Sequence, residues 1–104
     1  REGHHSVIGA GSRDMNSALF DWDDADDPDG NSAHVAEHGM TESEVESVLL
    51  GAFTRHDSSA STGRPIAFGT TLTGRFIAVV YEVLNLEDPL IIRPITAYDV
   101  SEPA

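Results

Sequence analysis

Apolar residues recur at two different periods along this chain, and the switch between them divides it. Val45, Val48, Leu49, Ala52 and Phe53 stand at i, i+3, i+4, i+7 and i+8, the spacing of one helical face, while Glu42, Glu44 and Glu46 fall in the first turn or on the outer face. Thr41-x-x-Glu44 has the form of a capping box, and Met40 with Val45 that of a hydrophobic staple. A helix over 42–51 is predicted. Upstream, Asn31 reads as the N-cap of a shorter helix over 31–38, closed by Gly39 in the C′ position. From Pro65 onward the period drops to two. Pro65–Leu72, Arg75–Leu84 and Leu90–Tyr98 read as strands, with Thr73-Gly74 turning the first pair. Phe76 to Tyr81 is apolar on both faces and therefore central, whereas Arg93-Pro94 marks the last strand as an edge or a bulge. Ala18–Trp22 adds a short strand with Phe20 and Trp22 on one face.

The order strand, helix, helix, meander predicts an α+β fold: an antiparallel sheet of about four strands with two helices on one face. The predicted core is Trp22, Val45, Val48, Leu49, Phe53, Ile66, Phe68, Ile77, Val79 and Ile95. Residues 1–14, with three glycines, a His-His pair and no hydrophobic period, read as a vector-derived or flexible leader, which leaves 15–104 as one domain.

Composition narrows the chemistry. Zero cysteines exclude a disulfide framework, thiolate-bound zinc and a thiol nucleophile. No stretch approaches the ~20 apolar residues of a membrane span, and no basic region precedes an apolar run, so a cytoplasmic domain without membrane contact is expected. Eighteen acids against six arginines and no lysine give −12. That balance opposes autonomous nucleic-acid binding at long range and favours a basic partner. The first fifty residues carry twelve acids and two arginines, net −10; the rest carry six and four, net −2. An anion-handling surface belongs in the second half.

Two metal motifs come close and fail. Aligning Gly30 with the glycine of a calcium loop puts Ala25 and Ala36 at ligand positions, so the aspartate-rich stretch 21–29 reads as a solvated loop. His34-Val35-Ala36-Glu37-His38 matches the zinc spacing H-x-x-E-H, but two imidazoles leave at least two coordination positions to fill, and Glu37 is poorly placed to join them. No functional metal and no cofactor are expected. The arginines are better placed. Arg64 enters the first strand of the meander, Arg75 begins the central one and Arg93 lies within the last, so strands about 4.8 Å apart would let them converge on a phosphate. The competing reading pairs each arginine with one of the many carboxylates.

Five pieces in order carry a family resemblance: Phe20-Asp21-Trp22-Asp23; Glu37-His38-Gly39-Met40-Thr41 with Glu44 and Val45; Arg64-x-x-x-x-Gly69; Thr73-Gly74-Arg75-Phe76 leading into Ala78-Val79-Val80; and Ile92-Arg93-Pro94-Ile95-Thr96-Ala97. From Phe20 to Val100 the chain resembles the BrnT toxins, the ribonuclease halves of bacterial type II toxin–antitoxin pairs. The resemblance implies a RelE-like fold, metal-independent RNA cleavage, and neutralisation by a small DNA-binding, BrnA-like antitoxin, with a homodimer left open. Carried over residue by residue, the site candidates are His38, Arg64, Arg75 and Arg93, with arginines on phosphate and His38 as acid or base. The chain departs from the family at Glu37, where a cation is usual, and at Tyr98, where the family has arginine. Those departures and the −12 charge motivate the alternative, a catalytically silent protein-interaction module with the same fold.

Overall fold

The computed structural model describes residues 4–7, 18–59, 62–87 and 89–101. The elements in chain order are β1 (His4–Val7), β2 (Leu19–Trp22), α1 (Asn31–Glu37), α2 (Glu42–Leu50), β3 (Arg55–Ser58), β4 (Pro65–Thr70), β5 (Phe76–Asn85) and β6 (Ile91–Asp99). The fold is α+β, as expected, but the sheet is larger and mixed. Its six strands lie in the order β1-β2-β6-β5-β4-β3, five of them within residues 18–101. All pairs are antiparallel except β2 with β6, which run parallel with Leu19 opposite Ile91 and Phe20 opposite Ile92. Parallel neighbours need a long crossover, and everything from α1 to β5 serves as that connection. The strand missed in sequence, β3, reads Arg-His-Asp-Ser and is exposed at all four positions. Polar residues suit an edge strand, and they leave no hydrophobic period to detect. His4–Val7, inside the stretch set apart as a leader, pairs with β2.

α2 forms for the reason its sequence announces. Thr41 Oγ1 accepts from Glu44 N at 3.1 Å, and Glu44 Oε1 accepts from Thr41 N at 3.0 Å, which satisfies two free donors reciprocally. The helix stops at Leu50, because Gly51 leaves the helical region with φ −65° and ψ 138°. Ala52 and Phe53 therefore never continue the apolar stripe, and Phe53 is fully exposed instead of buried. Glu46 departs from its expected outer position too. It is buried, and its Oε2 accepts from the Trp22 indole at 2.7 Å.

In α1 the N-cap is Gly30, not Asn31, while Gly39 takes the left-handed conformation (φ +75°) expected after the helix end. The β4–β5 hairpin closes with Thr71 N donating to Arg75 O, enclosing Leu72-Thr73-Gly74. At Arg93-Pro94 a bulge does occur: Tyr81 pairs with Pro94 and Val80 with Thr96, leaving Ile95 unpaired.

Strand register sorts side chains by face. Phe20, Ile92, Ala97, Val79, Ile77 and Ala67 share one face and form a single buried cluster with Val35 of α1 and Val45, Val48 and Leu49 of α2. Both helices therefore cover the same face. Ile66 is buried on the opposite face, whereas Phe68 and Ile95 are only half-buried. Since Leu49 is fully buried and Phe53 fully exposed, Leu49→Ala should cost about 2–5 kcal/mol in urea unfolding and Phe53→Ala less than about 0.5 kcal/mol, measured on dilute protein. Equal losses would contradict this packing.

Candidate functional site

The four residues singled out by sequence fall at two ends of the sheet. Arg75 immediately precedes β5, and Arg93 lies opposite Glu82 on the same strand. Seven strand positions separate the two, about 23 Å at ~3.3 Å per residue, so no single phosphate can engage both. Arg64 and Arg93 approach Glu82 from neighbouring strands, and the arginines do not converge.

Arg93 is committed to carboxylates. Its Nη1 donates to Asp21 Oδ2 at 3.2 Å and to Asp23 Oδ1 at 3.1 Å, and its Nη2 to Asp23 Oδ2 at 2.7 Å. Asp23 is 2% exposed. The hydrogen bond to Asp23 raises the Arg93 pKa above its ordinary value, with the charges of Asp23 and Asp21 adding to it. Asn31 completes the arrangement. Its Oδ1 accepts from Asp23 N at 2.8 Å, its own N–H donates to Asp23 Oδ2 at 3.0 Å, and its Nδ2 donates to the carbonyls of Asp21 and Pro94 at 3.0 and 2.6 Å. These long-range partners explain why Asn31 is not a cap. Gly30 is required beside it, since a Cβ there would stand 2.6 Å from Asp23 Cβ.

Arg75 is occupied in a different way. Nε and Nη2 form a two-pronged bond to Asp99 at 3.1 and 2.7 Å, while Nη1 and Nη2 donate to the carbonyls of Gly39 and His38 at 2.7 and 3.0 Å. Four of the five guanidinium donors are used in fastening the α1–α2 turn to the end of the sheet. The hydrogen bond from Arg75 holds the Asp99 carboxyl below its ordinary value, helped by the charges of Arg75 and His38. Arg64 is looser, with Nε 3.7 Å from Glu82 Oε2 and both side chains nearly half exposed.

One compact group emerges. His38 is exposed, its ring centroid lies 6.5 Å from that of Tyr98, and its carbonyl receives Arg75 beside Asp99. An imidazole, a phenol and a guanidinium–carboxylate pair thus meet at the end of the sheet. The imidazole is open to solvent and to a ligand, but the neighbouring cation is already neutralised. His34 sits half-buried in α1, and among the described residues no group of three or more metal-ligating side chains is close enough to hold an ion.

Sequence reasoning passed over His56, whose polar surroundings in β3 give no signal. Its Nδ1 lies 2.9 Å from the Tyr81 hydroxyl, with the rings edge-on at 5.9 Å. His56 keeps solvent access on one side, but desolvation of its ring against Tyr81 lowers its pKa, and burial raises that of Tyr81. No family model and no curated protein matches the chain.

Two predictions follow from these contacts. Arg93→Ala leaves the buried Asp23 carboxylate without its cation and should cost about 3 kcal/mol, the low end for a broken buried pair because the guanidinium keeps partial access to water. Urea unfolding checks it. For His56, the lowered folded pKa means that the unfolded chain binds the proton more readily. The His56 contribution is therefore complete above the unfolded value of about 6.5 and is lost as pH falls from there through the folded pKa. Melting temperature measured from pH 8 to 5 should fall less steeply in His56→Gln than in the parent; identical slopes would refute the assignment.

Proposed function

We propose that this chain is a catalytically silent protein-interaction module built on a BrnT-like frame. The observation that carries this reading is the occupancy of its cations. Arg93 is held by Asp21 and Asp23, and Arg75 by Asp99 and two carbonyls, so neither presents a free fork to a phosphate. Phosphodiester cleavage needs positive charge where the transition state gathers negative charge, and a guanidinium already neutralised by a carboxylate supplies little of it. Tyr98 and Glu37, standing where the resembled family places cations, act in the same direction. The net charge of −12 repels RNA and steers basic protein surfaces instead.

A second reading, the metal-independent ribonuclease toxin, is favoured by one observation: two of the four candidates, His38 and Arg75, do meet, beside Tyr98 and Asp99. There His38 would serve as acid or base, RNA would be the substrate and a BrnA-like antitoxin the partner. Purified protein incubated with bacterial RNA, with and without chelator, together with induced expression in a bacterial host, separates the two. The module reading expects intact RNA and normal growth. Any cleavage overturns it; chelator-resistant cleavage lost in His38→Ala, with an unchanged far-UV circular dichroism spectrum, establishes the ribonuclease.

A further inference from the structure

β3 pairs with β4 only between Ser58–Pro65 and Arg55–Phe68. β4 continues to Thr70, and alongside that extension the α2–β3 connection, residues 51–54, takes the place of a strand. Gly69 lets it pass, since a Cβ there would stand 2.7 Å from Thr54 Oγ1 and 3.0 Å from Val48 Cγ1. What remains is a cleft of about 350 Å³ bordered by residues 51–54, Phe53 among them, and by Gly69, Thr70 and Phe76. On its rim the Phe53 side chain is 100% exposed, and at the neighbouring hairpin tip Leu72 is 92% exposed. A phenyl ring left entirely in water beside an open cleft is a knob beside a hole. A knob and a hole side by side on one surface are the elements of an isologous contact, in which a two-fold rotation brings each knob to the hole of the other copy.

Charge distribution decides which occupant fits. At −12, two copies repel each other over most of their surface, yet the segments that form this region are poor in acids. From Ser47 to Tyr81 the only acid is Asp57, while Arg55, Arg64 and Arg75 lie in the same span. No carboxylate borders the cleft; Glu44 touches the hairpin at Thr73 and Asp99 is held by Arg75 beside Phe76, both outside the lining and both hydrogen-bonded. A basic partner finds nothing here to pair with, whereas a second copy meets an apolar patch where its own repulsion is least.

We propose that the chain forms a two-fold symmetric dimer in which Phe53 of each copy fills the cleft between residues 51–54 and Thr70–Phe76 of the other. Analytical ultracentrifugation of the full chain over a concentration series, with Phe53→Ala and Thr70→Arg, tests this. The first substitution removes the knob and the second blocks the hole. Phe53 is fully exposed and buries no surface against its own chain's core, so its removal should leave the far-UV circular dichroism spectrum unchanged. The parent should pass from one to two chains in mass with rising concentration, and each variant alone should associate at least about tenfold more weakly, as loss of an aromatic anchor does. Mixing the two variants should recover association, because the intact hole of one accepts the intact knob of the other. A parent that stays single-chain at every concentration overturns the proposal. A dimer that persists in Phe53→Ala, or a mixture no stronger than its components, overturns it equally.

Discussion

Asp23 keeps almost none of its surface in water, and a carboxylate in that position costs several kcal/mol unless it is paired and hydrogen-bonded. Both its oxygens are used. Arg93 reaches each of them, and the Asn31 backbone N–H shares the second. Three separated parts of the chain meet there: the end of β2, the first turn of α1 and the bulged stretch of β6. The parallel ladder between β2 and β6 runs over only two residue pairs, Leu19–Ile91 and Phe20–Ile92. Where it stops, Asn31 bridges the carbonyls of Asp21 and Pro94, so the polar cluster carries on the connection that the ladder begins. The helices are positioned by the same cluster, because α1 starts at Asn31 and its only fully buried apolar side chain, Val35, lies one turn along.

This constraint also governs the chemistry the surface can offer. An arginine that holds a buried carboxylate cannot release it to bind a ligand without stranding the charge. Arg75 differs in that its carboxylate partner is solvent-facing, but two of its bonds go to the backbone of the α1–α2 turn, which ties it to the fold as well. His38 is left as the exposed ring of that corner. A single imidazole next to a neutralised ion pair is a poor cradle for a phosphate.

What the sequence made legible was whatever has a local cause. The capping box at Thr41 and Glu44, the left-handed Gly39, the hairpin at Thr73-Gly74 and the bulge at Pro94 each follow from a few adjacent residues, and each is present. Readings failed where a distant partner decided the outcome. Asn31 looks like a cap because capping considers only the following turn, yet carbonyls from β2 and β6 claim its side chain. A helical wheel puts Glu46 outside, but the Trp22 indole needs an acceptor in the interior. Phe53 continues an apolar period that the backbone abandons two residues earlier, at Gly51. At the site, motif order pointed to His38 and Arg75, which do meet, but not to the carboxylates that hold the arginines, since eighteen acids give a sequence no means of choosing among them.

The acidity of the chain is therefore of two kinds. Asp21 and Asp23 are matched by Arg93, Glu42 accepts from the Ser32 hydroxyl, Glu44 caps a helix and Glu46 serves the indole, so these five acids of the first half have structural partners. Asp24, Asp26 and Asp29 stay exposed, in a loop braced by short-range bonds such as Asp29 N to Asp27 Oδ1 at 3.0 Å and anchored at either end by Asp23 and Asn31. That loop leaves from β2, and the acid-poor cleft borders β4, three strand spacings or about 14 Å across the sheet. At physiological ionic strength charges are screened over ~8 Å, so the field of the loop fades before it reaches the cleft. The buried Asp23–Arg93 cluster fixes the loop on the β2 side of the sheet, so a strongly anionic chain keeps its exposed aspartates apart from the apolar surface beside β4.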